Sequence, residues 1–226
     1  MSDQPKQNIV FIHGSGQSAL SFNYLDVFLP EHNILFLEYD TQESPDVIVN
    51  RFVNKIKDVY GLMNFSIIAH SYGCLLGMKC TEKFENIDNF VALSAPWGGS
   101  RTARWLNMVF RQSKLFEATK PGSDLITSLS SINNKFKITN VITEGTTKSG
   151  NALAGLGSRP NDGLLTVETQ ESVPANFNNV ENCRLKVSHN EILLTYDTVD
   201  ILKKVIFYAN WKNISVVVER HIGRAT

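Results

Sequence analysis

The 226-residue sequence predicts an α/β fold, a mostly parallel central sheet with helices on both faces and a small cap. Three observations lead there. Five short runs, 8–12, 34–39, 64–69, 90–93 and 136–143, are rich in Val, Ile and Phe and apolar on both faces, as strands inside a sheet are. Longer stretches of helical period separate them, the alternation expected of a parallel sheet covered by helices. No repeat, low-complexity tract or linker interrupts residues 1–226, so a single domain is expected, of a size that buries roughly 70% of the surface its unfolded chain exposes.

Taken in order, strand 8–12 opens the chain and strand 34–39 follows. Ser44 is placed to cap a helix whose first residue is Pro45; Ile48, Phe52, Ile56 and Val59 share one face of it, and Gly61 ends it. Strand 64–69 closes this βαβ unit and runs without a linker into a helix over 72–84. Strands 90–93 and 136–143 flank the region expected to hold the cap. A further strand is read at 183–187 and a helix at 197–208, where Val199, Leu202, Val205 and Ile206 gather on a face. The run 214–218 reads as a last strand.

Charge and cysteine content narrow the classes of function. Lys plus Arg equal Asp plus Glu at 22 each, so the strong positive field that attracts nucleic acid is missing, and nucleic acid is not an expected partner. The apolar run 9–12 is too short for a secretory leader or a spanning helix, so a soluble, cytoplasmic protein without stable membrane insertion is expected. Three cysteines, Cys74, Cys80 and Cys183, show no metal-ligand spacing and read as buried thiols.

The chemistry centres on Ser71. The segment Ala69-His70-Ser71-Tyr72-Gly73 places a serine where a buried strand turns abruptly into a helix, with small residues two before and two after it. That is the pattern of a nucleophile elbow, with Ala69 in place of the usual first glycine. A helix-capping serine at an ordinary strand exit is the competing reading. The first strand ends Ile12-His13-Gly14-Ser15-Gly16, a turn tight enough to aim an N–H at a developing oxyanion, so the amides of Ser15 and Tyr72 are the expected oxyanion hole. A glycine-rich turn starting a helix near Ser18 would look similar, and a phosphate cradle fits neither of its usual spacings.

A serine hydroxyl needs a base. Of His13, His32, His70, His189 and His221, only His189 follows a strand and precedes a helix late in the chain, on a loop at the edge where Ser71 emerges. His13 is expected to hold the oxyanion loop, and His70 to point away from the serine. The orienting acid should fall between serine and histidine; Asp162, in the turn Asn161-Asp162-Gly163 ahead of the apolar run 164–167, is preferred over Glu144 at the end of strand 136–143.

With these residues in order, the chain resembles the lipase and esterase branch of the α/β-hydrolase superfamily, especially small bacterial lipases and lipases related to GPI-inositol deacylases. The resemblance rests on Phe11-Ile12-His13-Gly14, Ala69-His70-Ser71-Tyr72-Gly73, Ser94-Ala95-Pro96-Trp97-Gly98-Gly99-Ser100 and Asn161-Asp162-Gly163-Leu164, with Pro121-Gly122-Ser123 similar to a turn such lipases carry after their cap. It implies hydrolysis of small-molecule esters or lipids through an acyl-enzyme, without metal or organic cofactor. The cap is expected over 97–120, where Trp105, Leu106, Val109 and Phe110 share a segment with Arg101, Arg104, Arg111 and Lys114, and Trp97 and Trp105 are expected to bind substrate. An amphipathic helix packed on the core fits the same pattern. Thioester hydrolysis, acyl transfer and a catalytically silent binding domain are the alternatives to ester hydrolysis.

Overall fold

The computed structural model describes residues 6–100, 114–145 and 159–207. Six strands, β1 (Asn8–Ile12), β2 (Asn33–Leu37), β3 (Phe65–His70), β4 (Ile87–Leu93), β5 (Lys137–Thr143) and β6 (Val180–Leu185), form one sheet in the order β2-β1-β3-β4-β5-β6. Every pairing is parallel, so the carboxyl ends of all six strands lie at one edge. The helices are α1 (Asn23–Asp26), α2 (Pro45–Tyr60), α3 (Tyr72–Thr81), α4 (Lys114–Thr119), α5 (Asp124–Ser128), α6 (Val167–Glu171) and α7 (Tyr196–Phe207).

Strand alternation builds two cores from one sheet. Val10 and Ile12 of β1, Ile67 and Ala69 of β3, and Phe90 and Ala92 of β4 face α2 and α3, where Phe52, Ile56 and Leu75 are fully buried. Their neighbours Ile9, Phe11, Ile68, Val91 and Leu93 face the opposite layer, formed by α1 and α7 with Leu25, Val199 and Leu202. Helices therefore cover both faces, and β3, at the heart of the ladder, is buried at every residue.

Boundaries differ from the sequence expectation where polar residues join a ladder. β4 begins at Ile87 rather than at 90, because Asp88 and Asn89 continue the strand although only the apolar end is recognisable in the sequence. β6 likewise begins at Val180 rather than 183; as an edge strand it carries Glu181 and Asn182 in register with Thr139 and Asn140. α3 stops at Thr81, where the Lys83 and Phe84 amides turn back to carbonyls three residues earlier. Ser44 occupies the N-cap position of α2 without a side-chain capping bond. The central part of the expected cap, the Trp105 segment included, lies outside the described residues, as do His221 and the run 214–218. At the end of the segment expected to form the cap, α4 leads through Pro121-Gly122-Ser123 into α5, with Gly122 at φ 74° and Ser123 Oγ accepting the Ile126 amide at 3.3 Å.

The contrast between faces is measurable. Phe52→Ala, in the α2–α3 core, is expected to cost about 4 kcal/mol, whereas Leu62→Ala, at a side chain 96% exposed, should stay within about 0.5 kcal/mol of wild type in urea denaturation.

Candidate active site

The bend at Ser71 is a backbone fact before it is a chemical one. Ser71 adopts φ 53°, ψ −125°, a conformation L-residues avoid, between the last residue of β3 and the first of α3. Its amide donates to the Leu93 carbonyl of β4 at 2.9 Å, and its carbonyl accepts the Cys74 amide at 2.9 Å. Gly73 is small for a reason the sequence did not show. A Cβ there would lie 2.4 Å from the His13 carbonyl oxygen and 2.6 Å from that of Ile12, so the close neighbour is the end of β1.

Three side chains meet at this edge. His189 Nε2 lies 2.9 Å from Ser71 Oγ, and His189 Nδ1 lies 2.8 Å from Asp162 Oδ2. All three residues are buried. A carboxylate only accepts, so Nδ1 carries the ring proton toward Asp162, and the lone pair of Nε2 faces the serine hydroxyl. The two loops are joined through their backbones as well, the His189 amide donating to the Asp162 carbonyl at 2.9 Å. Behind His189, the buried side chains of Ile192 and Leu193 anchor its loop in the α1/α7 core.

Asp162 sits in a cradle of donors. Oδ1 accepts the amides of Leu164 at 2.9 Å and Leu165 at 2.7 Å. Oδ2 accepts Thr143 Oγ1 at 2.7 Å and Gln170 Nε2 at 3.3 Å, besides His189. Burial pushes this carboxyl upward, but hydrogen bonds and charge from His189, the Leu165 amide and Thr143 outweigh it and hold the group below its usual range. Gln170, fully buried on α6, also bonds the Thr143 amide and carbonyl at 2.9 Å each. Ser94 Oγ adds a contact to Thr143 Oγ1 at 2.8 Å. The sequence singles out neither Thr143 nor Gln170, and Ser94 only as the start of a segment that carries the resemblance. Thr143 carried one signal, a polar residue at the carboxyl end of a buried strand; Gln170 carried none.

Other expected positions resolve differently. Glu144 turns away from this cluster and pairs with Arg184 at 3.3 Å. His13 braces the turn at the end of β1: its Nδ1 lies 2.8 Å from the Gly14 carbonyl, its Nε2 lies 3.1 Å from Glu38, and its ring stacks on Tyr39. His70 is buried, its Nδ1 facing Gln17 Oε1 and its Nε2 the His189 carbonyl, each at 2.9 Å. Ser15 is half-buried in the Gly14–Gly16 turn, and Tyr72 supplies the first residue of α3. The expectation that Trp97 binds substrate is corrected. It is 1% exposed, its Nε1 donates to Asn140 Oδ1 at 3.0 Å, and its ring meets Phe177 edge-on. A large ring whose N–H finds a buried amide is a core residue. Trp105 lies outside the described residues. Among the described residues, no group of three or more His, Cys, Asp or Glu is arranged to hold a metal ion. No helix among them is long and apolar enough to cross a membrane.

Because the folded Asp162 pKa is lowered, the stability it contributes is present above the unfolded value near 4 and is lost as pH falls through the folded value. Thr143→Val, which removes one donor to that carboxylate, should cost about 2 kcal/mol at pH 7. The difference from wild type should shrink in urea titrations as pH falls below about 4 and through the lowered folded value, where the buried carboxylate protonates.

No protein-family model matches the chain. A stretch of 113 residues is 30% identical to a probable lysophospholipase of Arabidopsis thaliana, covering 42% of this chain and 26% of that protein. The fold superposes on phospholipase PlaB of Legionella pneumophila with a TM-score of 0.74 at 13% identity, covering 89% of this chain and 59% of that one. It superposes on the mature lipase BlEst2 of Bacillus licheniformis with a TM-score of 0.71 at 15% identity, covering 92% and 94%. A lipase-esterase related protein of Clostridium acetobutylicum gives 0.60 at 17% identity, covering 88% and 94%. With a six-stranded parallel sheet, helices on both faces and an elbow after its third strand, the chain has the α/β-hydrolase fold that these lipase-like structures share.

Proposed function

We propose that the chain is a serine hydrolase of carboxylic esters that works through an acyl-enzyme. One observation carries the reading: the unbroken run of contacts from Ser71 Oγ to His189 Nε2 at 2.9 Å and from His189 Nδ1 to Asp162 Oδ2 at 2.8 Å. Ser71 Oγ attacks the ester carbonyl while Nε2 takes its proton. Asp162 holds the ring in the tautomer that leaves Nε2 free and stabilises the imidazolium without taking the proton itself. The amides of Ser15 and Tyr72 receive the oxyanion, each donor contributing about 3 kcal/mol to the transition state. His189 returns its proton to the leaving alcohol; a water, activated by the same base, then releases the acid. Likeness to proteins named as lipase, phospholipase and lysophospholipase favours ester lipids or related small esters as substrates.

A fluorophosphonate probe followed by peptide mass mapping is expected to label Ser71 in the folded protein. Folded protein left unlabelled there would instead mark a silent binding domain. Ser71→Ala and His189→Ala should each lower turnover of a short p-nitrophenyl ester by about four orders of magnitude or more, and the double variant should lose little beyond either, because the pair acts as a unit.

The acid can be assigned separately. Asp162→Asn should lower kcat by about four orders of magnitude by favouring the wrong imidazole tautomer. Glu144→Gln should leave kcat unchanged, since its carboxylate bonds Arg184 and not His189. The reverse pattern would overturn the assignment.

A further inference from the structure

Gln17 lies three residues beyond Gly14 and joins three segments that meet at Ser71. Its Oε1 accepts the Gly14 amide at 3.0 Å and lies 2.9 Å from His70 Nδ1; its Nε2 donates to Asn190 Oδ1 at 3.1 Å. Each partner neighbours a group of the proposed machinery. Gly14 precedes Ser15, His70 precedes Ser71, and Asn190 follows His189. Packing closes the arrangement: a Cβ on Gly14 would fall 2.8 Å from Gln17 Oε1, 2.9 Å from His70 Nδ1 and 3.2 Å from Ser71 Cβ.

Donor and acceptor chemistry fixes the amide. The Gly14 N–H can only donate, so oxygen must face it, which turns Nε2 toward Asn190. His70 is pushed down to about 3, first by burial and then by the neighbouring His189. As a neutral ring it has one N–H for two acceptors, Gln17 Oε1 and the His189 carbonyl. The imidazole is thus the exchangeable link of the cluster and the Gln17 amide its fixed one.

We propose that Gln17 is a positioning residue for oxyanion stabilisation: by tying the Gly14 N–H to the strand that bears the nucleophile and to the loop that bears the base, it fixes the residue that leads into Ser15 and so aims the Ser15 N–H at the oxygen of the attacked carbonyl. The assignment rests on the serine-hydrolase reading above. An amide aimed in advance acts where charge develops, so its misplacement lowers kcat while leaving KM nearly unchanged.

The test compares the wild-type chain with Gln17→Leu, Gln17→Glu and Asn190→Ala. Active sites are counted by fluorophosphonate titration, and kcat and KM are measured on p-nitrophenyl butyrate. Gln17→Glu keeps the oxygen that faces Gly14 and His70, and the Asn190 amide can rotate to donate to it. Gln17→Leu is expected to lower kcat per titrated site about tenfold or more, with KM within about twofold. Gln17→Glu should recover to within about threefold of wild type. Asn190→Ala, at an exposed position that does not endanger folding, should lower kcat about threefold at unchanged KM. Full kcat in Gln17→Leu or in Asn190→Ala, or a loss in Gln17→Glu equal to that in Gln17→Leu, overturns the assignment. A wild-type protein that neither labels nor turns over ester overturns the hydrolase reading and this assignment with it, an outcome distinct from an active wild type with indifferent variants.

Discussion

The site depends on one strained residue held from several sides. Ser71 occupies a positive φ that costs a non-glycine residue on the order of 1–3 kcal/mol, and such a conformation persists only where its surroundings leave no alternative. Here β3 is pinned between β1 and β4, the Ser71 amide is tied to Leu93, and α3 starts at once with every residue buried except Lys79. The end of β1 lies against Gly73 closely enough that even a methyl group would collide with two carbonyl oxygens. Relaxing the corner would mean separating three central strands. The serine hydroxyl is therefore set in place by sheet pairing and not by its own loop.

A second constraint is electrostatic. Asp162 is 1% exposed, and an ionised carboxylate so placed is costly unless donors surround it. Two backbone amides, a threonine hydroxyl, a glutamine amide and an imidazole N–H do so, and their joint effect exceeds that of burial. Period-two alternation at the end of β5 explains why the neighbouring Glu144 plays no such part. Thr143 is fully buried and turns toward Asp162, while the next side chain turns outward to Arg184 of β6.

How much of this was legible in the sequence follows from which signals are local. The strands were readable because burial on both faces leaves an unbroken apolar run, and the corner at Ser71 because small residues flank a strand that passes directly into a helix. The Ser71, Asp162 and His189 positions that converge in space were readable from chain order. What stayed hidden was set by distant partners. Gly73 answers to carbonyls sixty residues earlier in the chain, β6 carries its polar start on an edge, and nothing around Gln17 or Gln170 distinguishes them from surface glutamines. Trp97 is a case of the same kind: it opens the segment 97–120 read as a cap, and only Asn140 and Phe177, more than forty residues away, make it core.

The strand order accounts for how Ser71 and Asp162 stand apart at the carboxyl edge of the sheet. Ser71 emerges from β3 and the Thr143–Asp162 contact from β5, with β4 between them. Alternate strands of a sheet stand about 9.5 Å apart, twice the spacing of neighbours. That interval accommodates one imidazole with a hydrogen bond at each end. His189, the proposed base, reaches in from the loop after β6 with its amide on the Asp162 carbonyl and its own carbonyl against His70 at the end of β3. The order Ser71, Asp162, His189 along the chain is thus matched by the order β3, β5, β6 across the sheet, and a parallel sheet, which brings every carboxyl end to one edge, is the arrangement that lets these separate loops meet.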